Sequence, residues 1–580
     1  MNLIHKINYI FNKNQKIRLI QLTVIIVIGA FFELLGVSAI LPFINVVLEP
    51  DAIKTTSYLS FFYDLLGFHS VNDFMIFLGV CLIVVYIVKN IYVAMMYDAQ
   101  YRFTYRNQCR ISTKLLDSYL QENYLFHVEH NSAELLRNVN SDVAVFFQVV
   151  LGMLQLITEI SVCLVLVMFL LFMDVLITVG VSILLGVFAI GFMKIFRTRL
   201  KDMGLKSRKY QAEMNKWMLQ AMGGIKEIKV MNSEGFFSER YEKSYYLYAE
   251  SQRKYSLLGI LPRPVLEMFC VTGLLAVVVI RLLCGVELDN FVSTLSVFAI
   301  AAFRMLPSFN RITNNMNTVL FGRTAVDKIY FDLKQTEKYV NEKREQKEDD
   351  IIFRKEILVN NLSFTYPKEK NPVLDKVNLR IPKNKSVAFI GPSGSGKTTL
   401  ADLILGVLIP QSGKILVDGN DIQSKMNVWH QKLGYIPQSI YIMDDTLRHN
   451  VAFGVAEEYI DDVKVWKALE EAQLKEFVET LDKKLDTNIG EGGMRLSGGQ
   501  RQRIGIARVL YNDPEVLILD EATSALDMET ETAVMEAIDS FNGNKTLIII
   551  AHRLSTVKNC DVIYKVDNHE VMECRIDDYQ

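Results

Sequence analysis

The sequence predicts an α-helical membrane domain followed by an α/β domain, and three observations lead to this fold class. Half of the 580 residues are hydrophobic, and the excess lies before residue 330. Residues 331–350 are strongly charged, and the last ten of them include no apolar residue. From residue 351 onward, short β-type runs alternate with helical ones, which is typical of an α/β fold. We therefore predict a membrane domain over 1–330, a linker over 331–350 and an α/β domain over 351–580.

Apolar stretches long enough to cross a bilayer, for which about 20 residues are needed, occur six times in the membrane domain. The two connections at residues 97–142 and 197–256 are long, polar and patterned as helices, so we expect the membrane helices to extend far into the cytosol. The six predicted spans are Leu19–Val47, Phe74–Met96, Val143–Phe172, Val175–Phe196, Leu257–Cys284 and Phe291–Phe309.

Lysine and arginine are distributed unequally between the connections. They are frequent before the first span, after the second span and after the fourth span, whereas the other connections carry acidic residues and little positive charge. Positive charge marks the cytoplasmic side of a membrane protein. We therefore expect a multi-pass protein with both termini and the α/β domain in the cytoplasm.

Four shorter segments have helical patterns outside the spans. Residues 1–11 carry apolar residues at helical spacing, which predicts an amphipathic helix on the membrane surface. Residues 57–66, in the first outer loop, have a similar pattern. Residues 124–136 and 223–230 lie in the two long cytoplasmic connections, and each is either a short helix that presses on the α/β domain or part of a solvated helical hairpin.

Composition excludes several classes of function. The formal net charge of -2 gives no argument for a nucleic-acid partner. The seven cysteines are scattered, without a C-x-x-C pair or a histidine cluster, so neither a zinc site nor a disulfide framework is predicted.

A glycine-rich turn follows the apolar run 386–390. Residues 391–399 read GPSGSGKTT, the pattern of a strand that turns through a phosphate-binding loop into a helix. Such a turn directs backbone N–H groups and the positive end of a helix dipole at one phosphate. We expect Lys397 to contact the outer phosphates of a nucleotide and Thr398 to bind Mg²⁺. The predicted nucleotide-binding residues of this turn are Gly391, Ser393, Gly394, Ser395, Gly396, Lys397, Thr398 and Thr399.

A second apolar strand, residues 516–519, is followed by Asp520 and Glu521. Buried strands of α/β sheets deliver ligand-binding groups at their carboxyl ends. We expect Asp520 to bind Mg²⁺ and Glu521 to polarise the attacking water, because phosphoryl transfer depends on positioning and charge neutralisation. Taken alone, two adjacent acids are more typical of a strand end in solvent, but behind a phosphate-binding loop the metal and catalytic roles are favoured.

Another glycine turn, residues 496–500 (LSGGQ), leads into a helix and forms a second anion site. Six features follow one another along the chain and cover nearly all of residues 351–580. They are GPSGSGKTT at 391–399, Gln438, LSGGQ, the acids at 520–521, SALD at 524–527 and His552. This set resembles the ATPase domain of ATP-binding cassette (ABC) transporters. One such domain behind six predicted spans resembles an exporter-type half-transporter, which extends the resemblance over the full chain.

The resemblance implies ATP and Mg²⁺ as cofactors and gives each motif a role. It implies that Tyr366 stacks on the adenine, that Gln438 contacts Mg²⁺ and senses the membrane domain, and that His552 steadies the γ-phosphate. The LSGGQ turn clasps the ATP held by another subunit, so single copies of both turns imply a homodimer. The residues with implied catalytic roles are Glu521, His552 and Gln438; those for Mg²⁺ are Thr398, Gln438 and Asp520; those of the turn are Ser497, Gly498, Gly499 and Gln500.

Ionisable residues inside spans or at their edges are costly and are functional candidates by default. Arg304 and Arg311 are seven residues apart and share a helix face. The planar guanidinium suits phosphate, which predicts an anionic cargo with a pyrophosphate. The alternative is that Arg263 pairs with Glu267 one turn on, and that the other charges lie at a membrane boundary or pair across helices with acids such as Glu159. The predicted cargo-binding residues are Lys89, Arg263, Arg304 and Arg311.

Residues 261–267 and 303–312, together with the loop after the first span, are similar to bacterial lipid-linked oligosaccharide flippases. This similarity implies flipping of a polyprenyl-pyrophosphate-linked oligosaccharide to the outer leaflet of the bacterial inner membrane, with the lipid-linked glycan and membrane lipids as partners. Lys89 stands where an arginine is expected and keeps the charge without the planar fork. The alternatives are an exporter of lipid A, peptide or drug, and a membrane-tethered regulatory ATPase.

Overall fold

The computed structural model describes residues 3–48, 56–173, 175–265, 291–344, 350–520, 540–551 and 557–575, with a few isolated residues between these ranges. The chain divides into a membrane unit, Met1–Glu122 with His127–Val340, and an ATPase unit, Asn123–Phe126 with Asn341–Gln580. The division falls inside the segment 331–350 that was predicted to be a linker. The last long helix of the membrane unit nevertheless continues through most of that segment, to Arg344.

The membrane unit is built from helices, three of which are much longer than a bilayer crossing. They have 51, 49 and 54 residues. At about 1.5 Å per residue such a helix is roughly 75 Å long, whereas the hydrocarbon core is about 30 Å thick. The predicted extension of the spans beyond the membrane is therefore confirmed. In the described residues the helices are α1 (Leu3–Ile10), α2 (Lys13–Ser38), α3 (Ile40–Leu48), α4 (Ser57–Leu65), α5 (Val71–Gln121), α6 (Tyr124–Glu129), α7 (Ser132–Arg137), α8 (Val143–Met173), α9 (Val175–Gly223), α10 (Ile225–Val230), α11 (Glu234–Ile260) and α12 (Phe291–Arg344).

Three helical segments in the described residues are long and apolar enough to cross a membrane: Lys13–Gly36, Val71–Gln121 and Ser132–Phe172. They contain most of the first three predicted spans. Parts of the other three predicted spans lie outside the described residues or side chains, so the number six stays a prediction.

The N-terminal helix α1 packs on protein through the face that was expected to lie on the membrane. Ile7, Ile10 and the following Phe11 are buried. Phe11 makes ring contacts with Phe103 of α5 and with the aromatic pair at the start of α8. At the edge of this face, Lys6 pairs with Asp327 of α12 at 2.8 Å. The apolar spacing of α1 therefore serves the contacts of this helix with the rest of the membrane unit.

A buried ion cluster joins the extended parts of α5, α9 and α12 around a π-helical turn, Asn138–Asp142. Asp142 accepts two hydrogen bonds from Arg208 of α9, at 2.9 and 2.7 Å. The same arginine donates to the carbonyl of Thr324 on α12 at 3.1 Å. Asn138 donates to the Tyr119 hydroxyl of α5 at 3.1 Å. Charged groups are buried only when they are paired and hydrogen-bonded, so this cluster fixes how these helices pack.

The ATPase unit contains two β-sheets. Strands of the larger sheet that are covered on both faces read as continuous apolar runs, such as SVAFI and TLIII, and every residue of these two runs is buried. The strands are β1 (Glu356–Phe364), β2 (Leu374–Pro382), β3 (Ser386–Ile390), β4 (Ser412–Val417), β5 (Asn420–Asp421), β6 (Leu433–Ile436), β7 (Val516–Asp520), β8 (Thr546–Ile550), β9 (Val562–Asp567) and β10 (Glu570–Cys574).

The smaller sheet has the order β2-β1-β4-β5 and is antiparallel, and the larger sheet has the order β10-β9-β3-β8-β7-β6 with a parallel centre. The centre of the larger sheet places the carboxyl ends of β3, β6 and β7 at one edge. The helices of this unit in the described residues are α13 (Lys397–Leu405), α14 (Met426–Gln431), α15 (Leu447–Val451), α16 (Asp462–Glu471), α17 (Lys475–Glu479) and α18 (Gly498–Leu510).

The buried ion cluster predicts a large loss of stability when its central acid is removed. Replacing Asp142 with Ala leaves the guanidinium groups of Arg137 and Arg208 without their shared carboxylate. We expect the free energy of unfolding to fall by about 3–5 kcal/mol, measured by thermal unfolding in detergent. Glu234→Ala is the control, because this exposed acid pairs with exposed Lys229 at the surface and its loss should leave the unfolding temperature unchanged. Equal shifts for the two variants would contradict the structural role of the cluster.

Candidate functional site

The loop after β3 has the backbone conformation that phosphate binding requires. β3 lies between the parallel strands β8 and β9, which holds the start of the loop at the carboxyl edge of the sheet. Gly391, Gly394 and Gly396 have φ angles of +148°, +79° and +105°, which side-chain-bearing residues rarely adopt. A Cβ atom on Gly391 would lie 2.2 Å from the carbonyl oxygen of Val566, so a side chain has no space there.

The charged and polar groups of this loop fit a polyphosphate. Lys397 is buried, and its ammonium donates to the carbonyls of Gly391 and Pro392 at 3.0 and 2.8 Å. Within the described part of the chain, Ser395 Oγ is buried and has no hydrogen-bond partner. The position of a Cβ on Gly394 is open, with no atom within 4 Å. A cation, an unsatisfied hydroxyl and open space at the start of α13 are the features that favour an anion there.

Tyr366 and the two threonines lie around the start of α13. The hydroxyl groups of Tyr366 and Thr399 are 3.2 Å apart, and the Tyr366 ring packs edge-on against Phe364 at 5.0 Å. Thr399 is buried, whereas Thr398 is exposed. The placement of Tyr366 beside the phosphate-binding loop is compatible with its predicted contact with the base, and Thr398 is accessible to a metal ion.

Asp520 ends β7 as a buried carboxylate. Asp402 of α13 is close to it, and burial together with the charge of Asp520 raises the pKa of Asp402 to about 6. Burial, followed by the charge of Asp520, raises the pKa of the Tyr435 hydroxyl on β6. The predicted Mg²⁺ ligand is therefore a buried carboxylate beside a second acid, and a bound cation would relieve the repulsion between the two. Mg²⁺ prefers such oxygen ligands.

The LSGGQ turn forms a helix start with a capping box. Ser497 Oγ accepts a hydrogen bond from the backbone N–H of Gln500, and the Gln500 side chain accepts one from the N–H of Ser497 at 2.8 Å. Ser497 and Gly498 are exposed and Gly499 is buried. The reciprocal bonds rigidify the turn and leave the first N–H groups of α18 accessible to an anion.

Three predicted residues belong to connections that follow strands. Gln438 follows β6 and is exposed. Glu521 and His552 directly follow Asp520 and Ala551 in the chain but lie outside the described residues. Their roles stay predictions from the sequence pattern.

Lys89 of the membrane unit is paired with an acid. Its ammonium lies 2.9 Å from a carboxylate oxygen of Glu33 on α2, and both side chains are largely buried. Gly36 makes room for this side chain, since a Cβ there would lie 2.9 Å from Lys89 Cδ. This pair matches the alternative that intramembrane bases are balanced by acids of neighbouring helices.

Arg311 is also paired, but differently. It donates to Glu159 at 2.7 Å; the arginine side chain is 52% exposed and the carboxylate only 4%. The two residues line a cavity of about 20 Å³ that also includes Tyr97 and Ser308. Arg263 is exposed, and the side chain of Arg304 lies outside the described set. Glu159 therefore holds one edge of a guanidinium that is half exposed.

Two residues near the ATP site were missed by the sequence analysis. Asp402 stands five residues after Lys397 on α13, and Tyr435 stands three residues before Gln438. No motif distinguishes them, because their approach to Asp520 depends on the packing of α13 and β6 around β7. A polar residue in an otherwise apolar strand next to a known motif is the only signal that was available.

Comparisons with known proteins agree with these geometries. Residues 374–524 match the ABC transporter family and residues 19–305 match the ABC transporter transmembrane region. A protein of Ralstonia nicotianae described as an ATP-dependent lipid A-core flippase is 31% identical over 470 residues, which cover 79% of this chain and 77% of that protein. A protein of Vibrio cholerae with the same description is 36% identical over 311 residues, which cover 53% of each chain.

A solved structure supports the same fold. The ATP-bound structure of a bacterial Atm1-family ABC exporter superposes with a TM-score of 0.76 and covers 98% of this chain and 96% of that one, at 19% identity. The helical membrane region and the α/β ATPase domain thus share the fold of that exporter. This chain belongs to the ABC transporter family and couples ATP hydrolysis to transport across a membrane.

Proposed function

We propose that this exporter flips a phosphorylated glycolipid of the lipid A-core class from the cytoplasmic to the outer leaflet of a bacterial inner membrane. The observation that carries the proposal is the half-exposed guanidinium of Arg311, held by buried Glu159. The names of the relatives support the lipid A class over the polyprenyl-pyrophosphate cargo that the sequence analysis favoured.

The charge of Arg311 supports an anionic cargo for an energetic reason. An arginine in a span or at its edge is costly, and it is retained where it pairs or where it binds a ligand. The hydrogen bond to Glu159 uses one of the five N–H groups of the guanidinium, and half of the side chain stays exposed. The others suit the oxygens of a phosphate, which two parallel N–H groups bind together. Buried Lys89 contributes less, because Glu33 already balances its charge.

A polyprenyl-pyrophosphate glycan is the second candidate cargo. The specific observation in its favour is the seven-residue spacing of Arg304 and Arg311 on α12, since two arginines on one helix face suit two linked phosphates. Both candidates share phosphate, sugar and lipid chains, so the same site serves either. A drug or peptide cargo would leave the exposed part of Arg311 without a role, and a purely regulatory ATPase would not respond to any cargo.

We infer the ATPase roles from the residues of the ATP site. Lys397 and the backbone N–H groups of the loop after β3 bind the phosphates, and Tyr366 contacts the adenine. Mg²⁺ is held by Thr398, Gln438 and Asp520, and when bound it neutralises charge on the phosphates. Glu521 orients the attacking water and His552 steadies the γ-phosphate, so bond breaking depends on positioning and charge.

A homodimer is part of the proposal. The tip formed by the end of α9, α10 and the start of α11 exposes a group of apolar side chains, and contiguous exposed apolar surface marks a protein contact. Each ATP would lie between the loop after β3 of one subunit and the LSGGQ turn of the other. The ATPase unit of a second copy is the partner that we propose for this tip. Its exposed apolar residues include Met218, Met222, Ile225, Val230, Met231 and Phe236.

The first prediction of this proposal concerns the water-orienting acid. Glu521→Gln should bind ATP normally and lower turnover by roughly two to three orders of magnitude, because the phosphate-binding loop is unchanged while the charge that orients the water is lost. Steady-state ATPase rates and binding of a fluorescent ATP analogue measure the two effects. Near-normal hydrolysis would remove Glu521 from the proposed role.

The second prediction concerns the composite sites. A heterodimer of a Lys397→Ala subunit with a Ser497→Ala subunit should carry one doubly damaged site and one site with intact sequence, because a symmetric dimer exchanges the two turns between subunits. Doubly tagged heterodimers should occlude ATP at one site, and neither variant homodimer should occlude any. If each site lay within one subunit, no intact site would exist and the heterodimer would resemble the homodimers.

The third prediction concerns the cargo. Replacing Arg304 and Arg311 together with Ala should abolish flipping while basal ATP hydrolysis persists. Arg311→Lys should retain part of the flipping, because a point charge pairs with Glu159 and attracts phosphate but lacks the planar fork. Flipping of labelled lipid A-core and of a polyprenyl-pyrophosphate glycan is measured in proteoliposomes beside the ATPase rate.

The control for the cargo experiment is Arg253→Ala, which removes an exposed arginine paired with Glu250 on α11. It should leave both measurements unchanged. A purely structural role of Arg311 predicts loss of folded protein, with flipping and hydrolysis falling together. Wild-type flipping by the double variant would show that these arginines do not recognise the cargo.

A further inference from the structure

The connection between Gln438 and α15, residues 439–446, packs against the helix that begins at the LSGGQ turn. This helix, α18, has a buried glycine in its interior, Gly505. A Cβ atom on Gly505 would lie 2.4 Å from Cδ1 and 2.9 Å from Cγ1 of Ile440. Gly505 therefore makes room for the side chain of Ile440, which is the second residue after Gln438.

The segment just before the LSGGQ turn contacts the same connection. Ile442 is only 2% exposed. A Cβ atom on Gly493 would lie 3.3 Å from the Ile442 side chain, and Gly493 precedes Leu496, the first residue of the turn, by three positions. The chain on both sides of the LSGGQ turn therefore packs against residues 440–442.

Arg508, one turn after Gly505 on α18, binds the backbone of this connection. Its Nη1 donates to the carbonyl of Tyr441 at 2.8 Å. Its Nε donates to the carbonyl of Asn450 at 2.8 Å, and its Nη2 donates to Oδ1 of the same residue at 3.2 Å. The guanidinium also lies 4.5 Å from the centre of the Phe453 ring. These contacts depend on the planar fork of arginine, which lysine does not have.

Asn450 extends the contacts of Arg508 to the middle of the connection. Its side chain is fully buried. Oδ1 also accepts a hydrogen bond from the N–H of Met443 at 2.9 Å, and Nδ2 donates to the carbonyls of Met443 and Thr446 at 3.1 and 3.0 Å. Buried polar groups that lose a partner are costly, so residues 440–450 are firmly attached to α18.

We propose that Arg508 is a positioning residue that couples the two ATP sites of the dimer. The proposal rests on the proposed function, in which Gln438 contacts the Mg²⁺ of the ATP bound by its own chain and the LSGGQ turn contacts the ATP of the other subunit. One set of packed residues joins these two contacts. ATP binding at one site therefore changes the position of the LSGGQ turn that completes the other site.

The competing explanation is that Arg508 only stabilises the ATPase unit. Hydrogen bonds from a charged group to buried acceptors also contribute to folding. The dependence of the ATPase rate on ATP concentration distinguishes the two explanations. A smaller amount of folded protein lowers the maximal rate and leaves the shape of the curve unchanged, whereas coupling between two sites raises the Hill coefficient above 1, up to about 2.

The experiment measures ATPase rates of the purified full-length protein over a range of ATP concentrations at saturating Mg²⁺. We expect a Hill coefficient above about 1.5 for the wild type and of about 1 for Arg508→Lys, which keeps the charge and loses the fork. Arg503→Lys is the matched control. Arg503 lies on the same helix and donates to the carbonyl of Gln473 at 2.9 Å, outside the connection, so this variant should keep the wild-type coefficient.

Gly505→Ala tests the same contact without a change at Arg508. Ala favours a helix more than Gly does, so a lower Hill coefficient in this variant reports the displaced side chain of Ile440 and not a weaker helix. Ile440→Val removes Cδ1, the atom nearest to the new methyl group. The double variant Gly505→Ala/Ile440→Val should therefore recover part of the cooperativity.

A wild-type Hill coefficient in Arg508→Lys would overturn the proposal, as would a coefficient of 1 in the wild type. If Arg508→Lys gives no folded protein, Gly505→Ala decides, and a wild-type coefficient there overturns the proposal. The proposed function fails in a different way. A heterodimer of Lys397→Ala and Ser497→Ala subunits that occludes no ATP would remove the composite sites themselves, whatever the Hill coefficients are.

Discussion

The burial of β3 between β8 and β9 is the constraint on which the ATP site depends. These strands have no polar side chain pointing to solvent, so they pack in one register and fix the point where the chain leaves the sheet. Gly391 passes so close to the Val566 carbonyl that a side chain has no space there, which restricts the path of the loop. β6 and β7 end at the same edge of the sheet. The topology of the sheet therefore places Gln438, Asp520 and the phosphate-binding loop at one edge.

The membrane unit accommodates charged side chains within apolar helices. Lys89 and Glu33 neutralise each other and are both largely buried. Arg311 and Glu159 form a pair in which only the acid is buried. This asymmetry gives the second pair a structural role and leaves an accessible guanidinium. The two roles that the sequence analysis treated as alternatives for Arg311 are therefore compatible in one residue.

Local features of this chain could be predicted from the sequence, and features that depend on distant residues could not. The loop at 391–399 could be predicted from its own residues, because its glycines allow the backbone conformation that phosphate binding requires. The pairing of Arg311 with Glu159 joins residues 152 positions apart, and only helix packing selects that acid from several candidates. The extension of α12 to Arg344 was missed for a related reason. Glu, Lys and Arg favour helices even where they bury no apolar surface. A high content of charged residues therefore does not distinguish a linker from a solvent-exposed helix.

The claim on which this account depends most is that phosphate identifies the cargo. The direct measurement is the ATPase rate of the wild-type protein in vesicles that contain lipid A-core, the same lipid after removal of its phosphates, or neither. We expect stimulation by the phosphorylated lipid and little response to the dephosphorylated one, because a guanidinium distinguishes them by charge and by paired hydrogen bonds. Equal stimulation by both lipids would contradict a role for phosphate in recognition.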